Sequence, residues 1–369
     1  MQIEIAWIGG VPAHYMGDFH LRLENEFKNI YFLYTSFGNR GVDFSHEVVS
    51  LPKKSTTLSG KYSYVRMWRE LCRLDPAALI IAGTYPRENF VAMFWAKFFN
   101  RKICYLSDSN ILGKKNISRS ILISWLLKKL ILMFDKFLII GTLNREFYEK
   151  LCGEDFVKNR SQFFPLPHHH EKFELENNFY GGKLKFLVLG RLIDIKSVDR
   201  AIKAYSSLDT EEKLRIDLEI VGDGPCRDKL MQLSCELGIA GNVHFMGSIP
   251  SDQTPCIFSS ANLVIVPSSD EPWGLIVNEA LSSGKPVLAP YWVGACRDLI
   301  IEGKTGYILR NNEIESIRDG MKRFLMDYDG GISIGIQGRA VIRDGNWNID
   351  GSVNSFRDLL SALKSDERK

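Results

Sequence analysis

Short runs rich in Ile, Val and Phe alternate with longer stretches of helical spacing, and the alternation occurs twice along 369 residues. The first set of runs lies at 3–8, 30–34, 79–82, 103–106 and 137–140, separated by helical segments such as 19–27, 62–74 and 89–99. Strands separated by helices pair in parallel, and a parallel sheet needs cover on both faces. The pattern breaks over 164–183, where Pro165, Pro167, three histidines and Gly181-Gly182 stand without periodicity. It then resumes with runs at 186–189, 217–221, 243–245, 263–266 and 286–289, and helical segments at 197–205, 226–237 and 275–283. Two α/β domains, each doubly wound and Rossmann-like, are therefore expected to face one another. Such sheets bind ligands beyond the carboxyl ends of their strands, which places the expected site in the interdomain cleft.

Composition excludes several classes. With 45% apolar and 25% charged residues, the chain is neither disordered nor collagen-like. Its seven cysteines are scattered without a Cys-x-x-Cys pair, as buried thiols in a reducing compartment would be. The start, Met-Gln-Ile-Glu-Ile, lacks the pattern of a secretory signal, so a cytoplasmic location is expected. The longest apolar stretch, 117–140, is interrupted by Arg119, Lys128-Lys129 and Asp135-Lys136, which disfavours a membrane span. It fits a core helix followed by a strand at 136–140, or a helix lying on a membrane surface.

The net charge of +3 conceals an asymmetry. Residues 1–170 hold 23 Lys and Arg against 15 Asp and Glu, and the remainder holds 24 against 29. Much of the excess lies in Arg101, Lys102, Lys114, Lys115, Arg119, Lys128 and Lys129, beside an apolar run. That pattern suits either a solvated helix face or the cytoplasmic face of an anionic membrane. Nucleic acid is not expected as a partner, since no zinc-finger, basic-zipper or aromatic RNA-reading pattern is present.

Four stretches could carry chemistry. Gly9-Gly10 closes the first apolar run, where missing side chains admit a phosphate or simply a turn. Gly190 to Lys196 leaves the first run of the second half with Arg191 and Lys196, able to grip a diphosphate by fork and point charge, or to serve as surface charge. Val221 to Pro225 is a glycine turn. No Gly-x-x-x-x-Gly-Lys-Ser/Thr loop occurs, so nucleotide hydrolysis by that route is excluded. The fourth, Val266 to Ala280, sets Glu271 and Glu279 around Trp273-Gly274-Leu275-Ile276, where helix-start amides can meet an anion. On one helix the two glutamates would stand ~12 Å apart, too far for a hydrolase carboxylate pair. His168-His169-His170 fits a hinge better than a metal site, and His14 and His20 are expected near the cleft.

In this order the second-half motifs resemble the family 4 glycosyltransferases, together with 243–247, 283–288, 298–300 and 303–307. The resemblance implies the GT-B fold: an N-terminal acceptor-side domain (1–170), a linker (171–183) and a C-terminal nucleotide-sugar-binding domain (184–345). A C-terminal helical segment (346–369) can pack back on the first domain. It also implies transfer of a hexose-type sugar with retention, from a nucleotide diphosphate donor to a glycan or lipid-linked acceptor. Arg191 and Lys196 would hold the diphosphate, Glu271 the sugar hydroxyls, and Glu279 the ribose. The backbone from Trp273 through Gly274 and Leu275 to Ile276 would meet sugar and phosphate. Ile249 would lie by the base, and Gly9 and Gly10 would approach from the N-terminal domain. With two cations at the diphosphate, no cofactor or metal is implied. Where many members carry a histidine, this chain has Ser107-Asp108-Ser109, resembling a branch that also has a Pro-x-x-Tyr stretch, here Pro12 to Tyr15. Asp108 is thus a candidate to orient donor or deprotonate acceptor, with a loop cap as its structural alternative. A GT-B epimerase and a catalytically silent GT-B subunit remain as alternatives.

Overall fold

The computed structural model describes residues 4–10, 14–35, 50–83, 87–109, 121–175, 182–328 and 332–366. Lys114, Lys115, Arg119 and Pro12 lie outside them. Seven parallel strands form the first sheet: β1 (Ile5–Gly10), β2 (Ile30–Thr35), β3 (Ser55–Leu58), β4 (Ala78–Ala82), β5 (Lys102–Leu106), β6 (Lys136–Ile139) and β7 (Ser161–Phe163). Their spatial order is β3-β2-β1-β4-β5-β6-β7. Six more form the second: β8 (Leu184–Leu189), β9 (Ile216–Val221), β10 (Val243–Gly247), β11 (Leu263–Ile265), β12 (Val287–Pro290) and β13 (Gly306–Leu309), ordered β10-β9-β8-β11-β12-β13. In both sheets the strand order reverses beside the first strand, which opens a crevice at the carboxyl ends there.

Alternation along each strand feeds two cores. In β1, Ile5 and Trp7 pack with Phe19, Phe164 and Phe356 on one face, while Ala6 and Ile8 pack with Met67, Leu71 and Met93 on the other. The edge strands β3 and β7 escape a search for apolar runs because they read Ser-Thr-Thr-Leu and Ser-Gln-Phe. The expected 3–8 run is displaced: β1 extends through Gly9 and Gly10, which pair with Tyr34 and Thr35. A Cβ on Gly9 would sit 3.2 Å from that of Ala82, so absence of a side chain there serves close strand packing. The stretch 117–140 holds helix Ile121–Ile131 followed by β6, and among the described residues no helix is long and apolar enough to cross a membrane.

The last helix, Ile349–Asp366, lies on the N-terminal domain. Phe356 meets Phe27 at 5.0 Å, Asp350 pairs with Arg22 at 2.5 Å, Glu26 pairs with Arg357 at 3.1 Å, and Ser352 Oγ donates to the Pro165 carbonyl at 3.0 Å.

A second seam lies nearer the crevice. Helix Thr142–Cys152 begins after Gly141, which offers no capping side chain, and Asp298 of the other domain takes over. Its carboxylate accepts from the Thr142 amide at 2.9 Å and hydroxyl at 2.6 Å. Burial pushes the Asp298 carboxyl up, against the lowering effect of those bonds. A Cβ on Gly141 would lie 2.5 Å from the Trp273 ring and 2.6 Å from Asp298 Oδ2. Gly141→Ala is therefore expected to wedge the domains apart and cost about 1–3 kcal/mol. A melting curve together with the radius of gyration from X-ray scattering checks this, and an unchanged value of both would refute the wedge.

Candidate active site

The crevice takes its second-domain wall from two loops stitched together. After β8, residues 190–197 carry Arg191 and Lys196. After β11, residues 266–274 carry Glu271. The Ser269 amide donates to the Ile195 carbonyl at 2.8 Å and Trp292 Nε1 to that of Ser268 at 3.0 Å. The Lys196 ammonium donates to Glu271 Oε2, and Ser268 Oγ approaches the same oxygen at 3.4 Å. Arg191 is exposed and enters no ion pair among the described residues. Gly222 and Gly224 lie against Gly190 and Leu192 so closely that a Cβ would strike their carbonyls at 1.9 and 2.5 Å. The turn at 222–225 is thus a packing device that supports the Arg191 loop.

Gly274 turns the chain into helix Leu275–Ser282 with φ of +90°, and a Cβ there would come 2.9 Å from Val293 and 3.1 Å from Glu271 Cγ. Its conformation and space both require glycine. The first amides of the helix, those of Leu275 and Ile276, have no intrahelical acceptor. The helix starts at Leu275, as the sequence predicts, so Glu271 stands in the loop that enters it and Glu279 lies within it. The ~12 Å separation by helix rise does not apply, because Glu271 is not helical. The side chain of Trp273 is buried in the seam, which leaves its backbone as the part that can meet a ligand. It stacks on Trp347 at 5.2 Å and donates to Asn278 Oδ1 at 2.9 Å, while its carbonyl accepts from Ala295. Ile249 sits in the loop after β10, half-buried against the core.

Glu279 retains some exposure but is enclosed by protein on most sides, with no hydrogen-bond partner given by the described residues. Burial alone lifts its carboxyl to about 8. From the N-terminal domain, Asp108 follows β5 and lies near Glu271 and Asp270. Although its side chain reaches solvent in the crevice, the walls disfavour ionisation and raise its pKa, its own backbone opposes, and Glu271 and Asp270 raise it further. Tyr15, on the first turn of helix His14–Glu26, has its hydroxyl pushed up to about 12 by burial and by Asp108 and Glu279. These mutual effects bring Asp108, Tyr15, Glu271 and Glu279 into one electrostatic neighbourhood across the two domains.

Sequence reasoning passed over Asn144. Its Nδ2 holds the Ser107 and Ser109 carbonyls at 3.0 and 2.5 Å, fixing the turn that presents Asp108. His20 is corrected: it is buried in the core beside Trp7, its Nδ1 2.8 Å from the Tyr34 hydroxyl, and burial lowers its pKa to about 3. In the histidine run, His168 is fastened to Ser282 Oγ at 2.8 Å. Among the described residues no three His, Cys, Asp or Glu side chains gather to hold a metal. The triplet Asp327-Tyr328-Asp329 has Asp-x-Asp spacing, but Asp327 ends helix Ile314–Asp327 and accepts the Tyr307 hydroxyl at 2.9 Å. A separate cavity of about 770 Å³ lies between helices Val198–Ser206 and Arg227–Glu236, without Arg191, Lys196, Glu271 or Glu279 in its wall. Its Lys203 and Arg200 are already paired, with Asp199 at 3.0 Å and Glu313 at 3.2 Å, so the crevice is the better candidate.

Known proteins share this fold. Sucrose-phosphate synthase from Thermosynechococcus elongatus superposes with a TM-score of 0.77 at 15% identity, covering 98% of this chain and 100% of that one. Anabaena HepE, in complex with UDP, gives 0.75 at 15% identity and the same coverage. The fold is GT-B. Residues 169–337 match the sequence model described as glycosyl transferases group 1, the GT-B half that carries Arg191, Lys196, Glu271 and Glu279. A D-inositol 3-phosphate glycosyltransferase of Nocardia farcinica is 30% identical over 180 residues, 47% of this chain and 40% of that protein. The chain thus spans less than half the length of that curated relative.

Proposed function

We propose that the protein is a retaining glycosyltransferase of family 4, moving a hexose-type sugar from a nucleotide diphosphate donor to a glycan or lipid-linked acceptor in cell-surface polysaccharide synthesis. The observation that carries this reading is the meeting of Lys196, Glu271 and Glu279 on one wall with Asp108 on the other. A departing diphosphate needs fixed positive charge, supplied by Arg191, Lys196 and the amides of Leu275 and Ile276. Without donor, Lys196 and Glu271 satisfy each other. With donor, the ammonium turns to phosphate and the carboxylate to sugar hydroxyls. Glu279 accepts from the ribose hydroxyls, and Asp108, its pKa raised by the walls of the crevice and by Glu271 and Asp270, takes the acceptor proton. Attack on the face the diphosphate leaves gives retention. A lipid-linked acceptor would bring the basic N-terminal half to the cytoplasmic face of a membrane.

Thermal-shift titration with UDP-, GDP-, ADP- and dTDP-sugars tests the donor assignment. One nucleotide class is expected to raise the melting temperature, with UDP tried first because HepE was crystallised with it. A flat response to every donor would remove both the donor site and the transferase reading.

A further inference from the structure

Beyond its first turn, helix Arg87–Phe98 is apolar except for Lys97, which pairs with Asp135 at 3.6 Å, with Phe, Val, Ala, Met, Phe, Trp and Ala at 90–96 and Phe at 98. A helix of that composition is ordinarily enclosed. Here Ala92, Met93, Trp95 and Ala96 are buried against the sheet, while Phe90, Phe94 and Phe98 on the opposite side are 49%, 63% and 68% exposed. Their spacing of four puts them in one row along the helix. Trp68 of helix Ser63–Leu74 lies 6.1 Å from Phe94 and 6.3 Å from Phe98, and Phe98 lies 5.0 Å from Phe99. The rings form a continuous exposed patch of the kind that marks an interaction surface.

Charge identifies what covers it. Helix Ser63–Leu74 exposes Arg66 and Arg69, and helix Ile121–Ile131, which packs into the same core layer, exposes Lys128 and Lys129. Lys129 stands 5.6 Å over the ring of Trp125, itself exposed. None of these four cations enters an ion pair among the described residues. Aromatic rings beside unpaired cations on the adjoining helix Ser63–Leu74, and on helix Ile121–Ile131 over the same core layer, complement a continuous layer of anionic headgroups over an apolar interior.

We propose that this face is the seat of the protein on an anionic bilayer, with Phe90, Phe94, Phe98 and Trp68 at the acyl boundary and Arg66, Arg69, Lys128 and Lys129 against lipid phosphates. The proposal rests on the lipid-linked part of the reading above and assigns it a surface, distinct from the crevice. Docking itself needs neither donor nor acceptor.

Cosedimentation of the full chain with vesicles of phosphatidylcholine, alone or mixed with phosphatidylglycerol, tests it. The chain is expected to bind the mixed vesicles, more weakly as salt is added. Phe94→Ser/Phe98→Ser should lose roughly tenfold or more in partitioning, and Arg69→Ala/Lys129→Ala roughly tenfold or more on the mixed vesicles alone. Both variants should keep the donor-induced thermal shift, so loss of docking is distinguishable from failure of the transferase reading. Wild-type partitioning by the phenylalanine variant, or no preference of the wild type for anionic vesicles, would overturn the proposal. A dimer in the ultracentrifuge that this variant dissolves would overturn it too, assigning the face to a second copy.

Discussion

Lys196→Ala is expected to cut transfer, measured as kcat/KM, by on the order of a thousandfold, the scale set by removing a charge that acts on the departing group. The same change should cost ~1–2 kcal/mol of stability, because it leaves Glu271, whose side chain is 15% exposed, without its ammonium partner. The discount from a fully buried pair reflects the 27% exposure of Lys196. Lys196→Met/Glu271→Gln removes both charges and should recover most of the stability while staying inactive. Arg191→Ala, at an exposed position without an ion pair among the described residues, should lose turnover with no change in melting temperature. Glu271→Ala should abolish transfer while leaving the fold intact. This set separates a structural ion pair from a donor grip. If Lys196→Ala were unstable but turned over normally once folded, the pair would be structural only and the assignment of Lys196 to the diphosphate would fall.

The parts of this site legible in the sequence are those whose geometry is local. Gly274 requires a left-handed turn next to the residues it serves, so Glu271, Gly274 and Glu279 stand in one string. Strand alternation likewise exposes both sheets, because a buried parallel strand needs a run of apolar residues regardless of what pairs with it. What escaped depends on partners distant in the chain. Thr142 is capped by a residue 156 positions away, and Asn144 reaches back 37 positions to the turn that bears Asp108. Neither Asp298 nor Asn144 has a neighbour in sequence that betrays its task. The packing of the Trp273 side chain escaped for the same reason, since its stacking partner Trp347 belongs to the segment that crosses between domains. The aromatic row at 90, 94 and 98 was present as helical spacing, but only burial shows that it is the outward face.

Glu279→Gln is expected to stabilise the protein without donor while weakening donor binding. The folded carboxyl titrates near 8 and that of the unfolded chain near the ordinary 4.5. As pH rises from about 4.5 to about 8, the unfolded chain therefore releases this proton first, and folding stability falls across that window before levelling above it. Glutamine has no proton to release. The melting-temperature gain of the variant should be small near pH 5, grow through pH 7 and level off above 8. A gain on the order of 1–2 kcal/mol corresponds to about 2–8 °C for a domain of this size. Donor affinity should fall by roughly tenfold to a hundredfold, the loss of charge-assisted bonds to the ribose hydroxyls. Because those bonds favour the ionised carboxylate, donor binding to the wild type should release a proton near neutrality and tighten as pH rises toward 8. Titration calorimetry in buffers of different ionisation enthalpy measures that proton directly. Wild-type and Glu279→Gln proteins releasing the same number of protons would remove Glu279 from the donor site, and melting in parallel from pH 5 to 9 would refute the raised carboxyl.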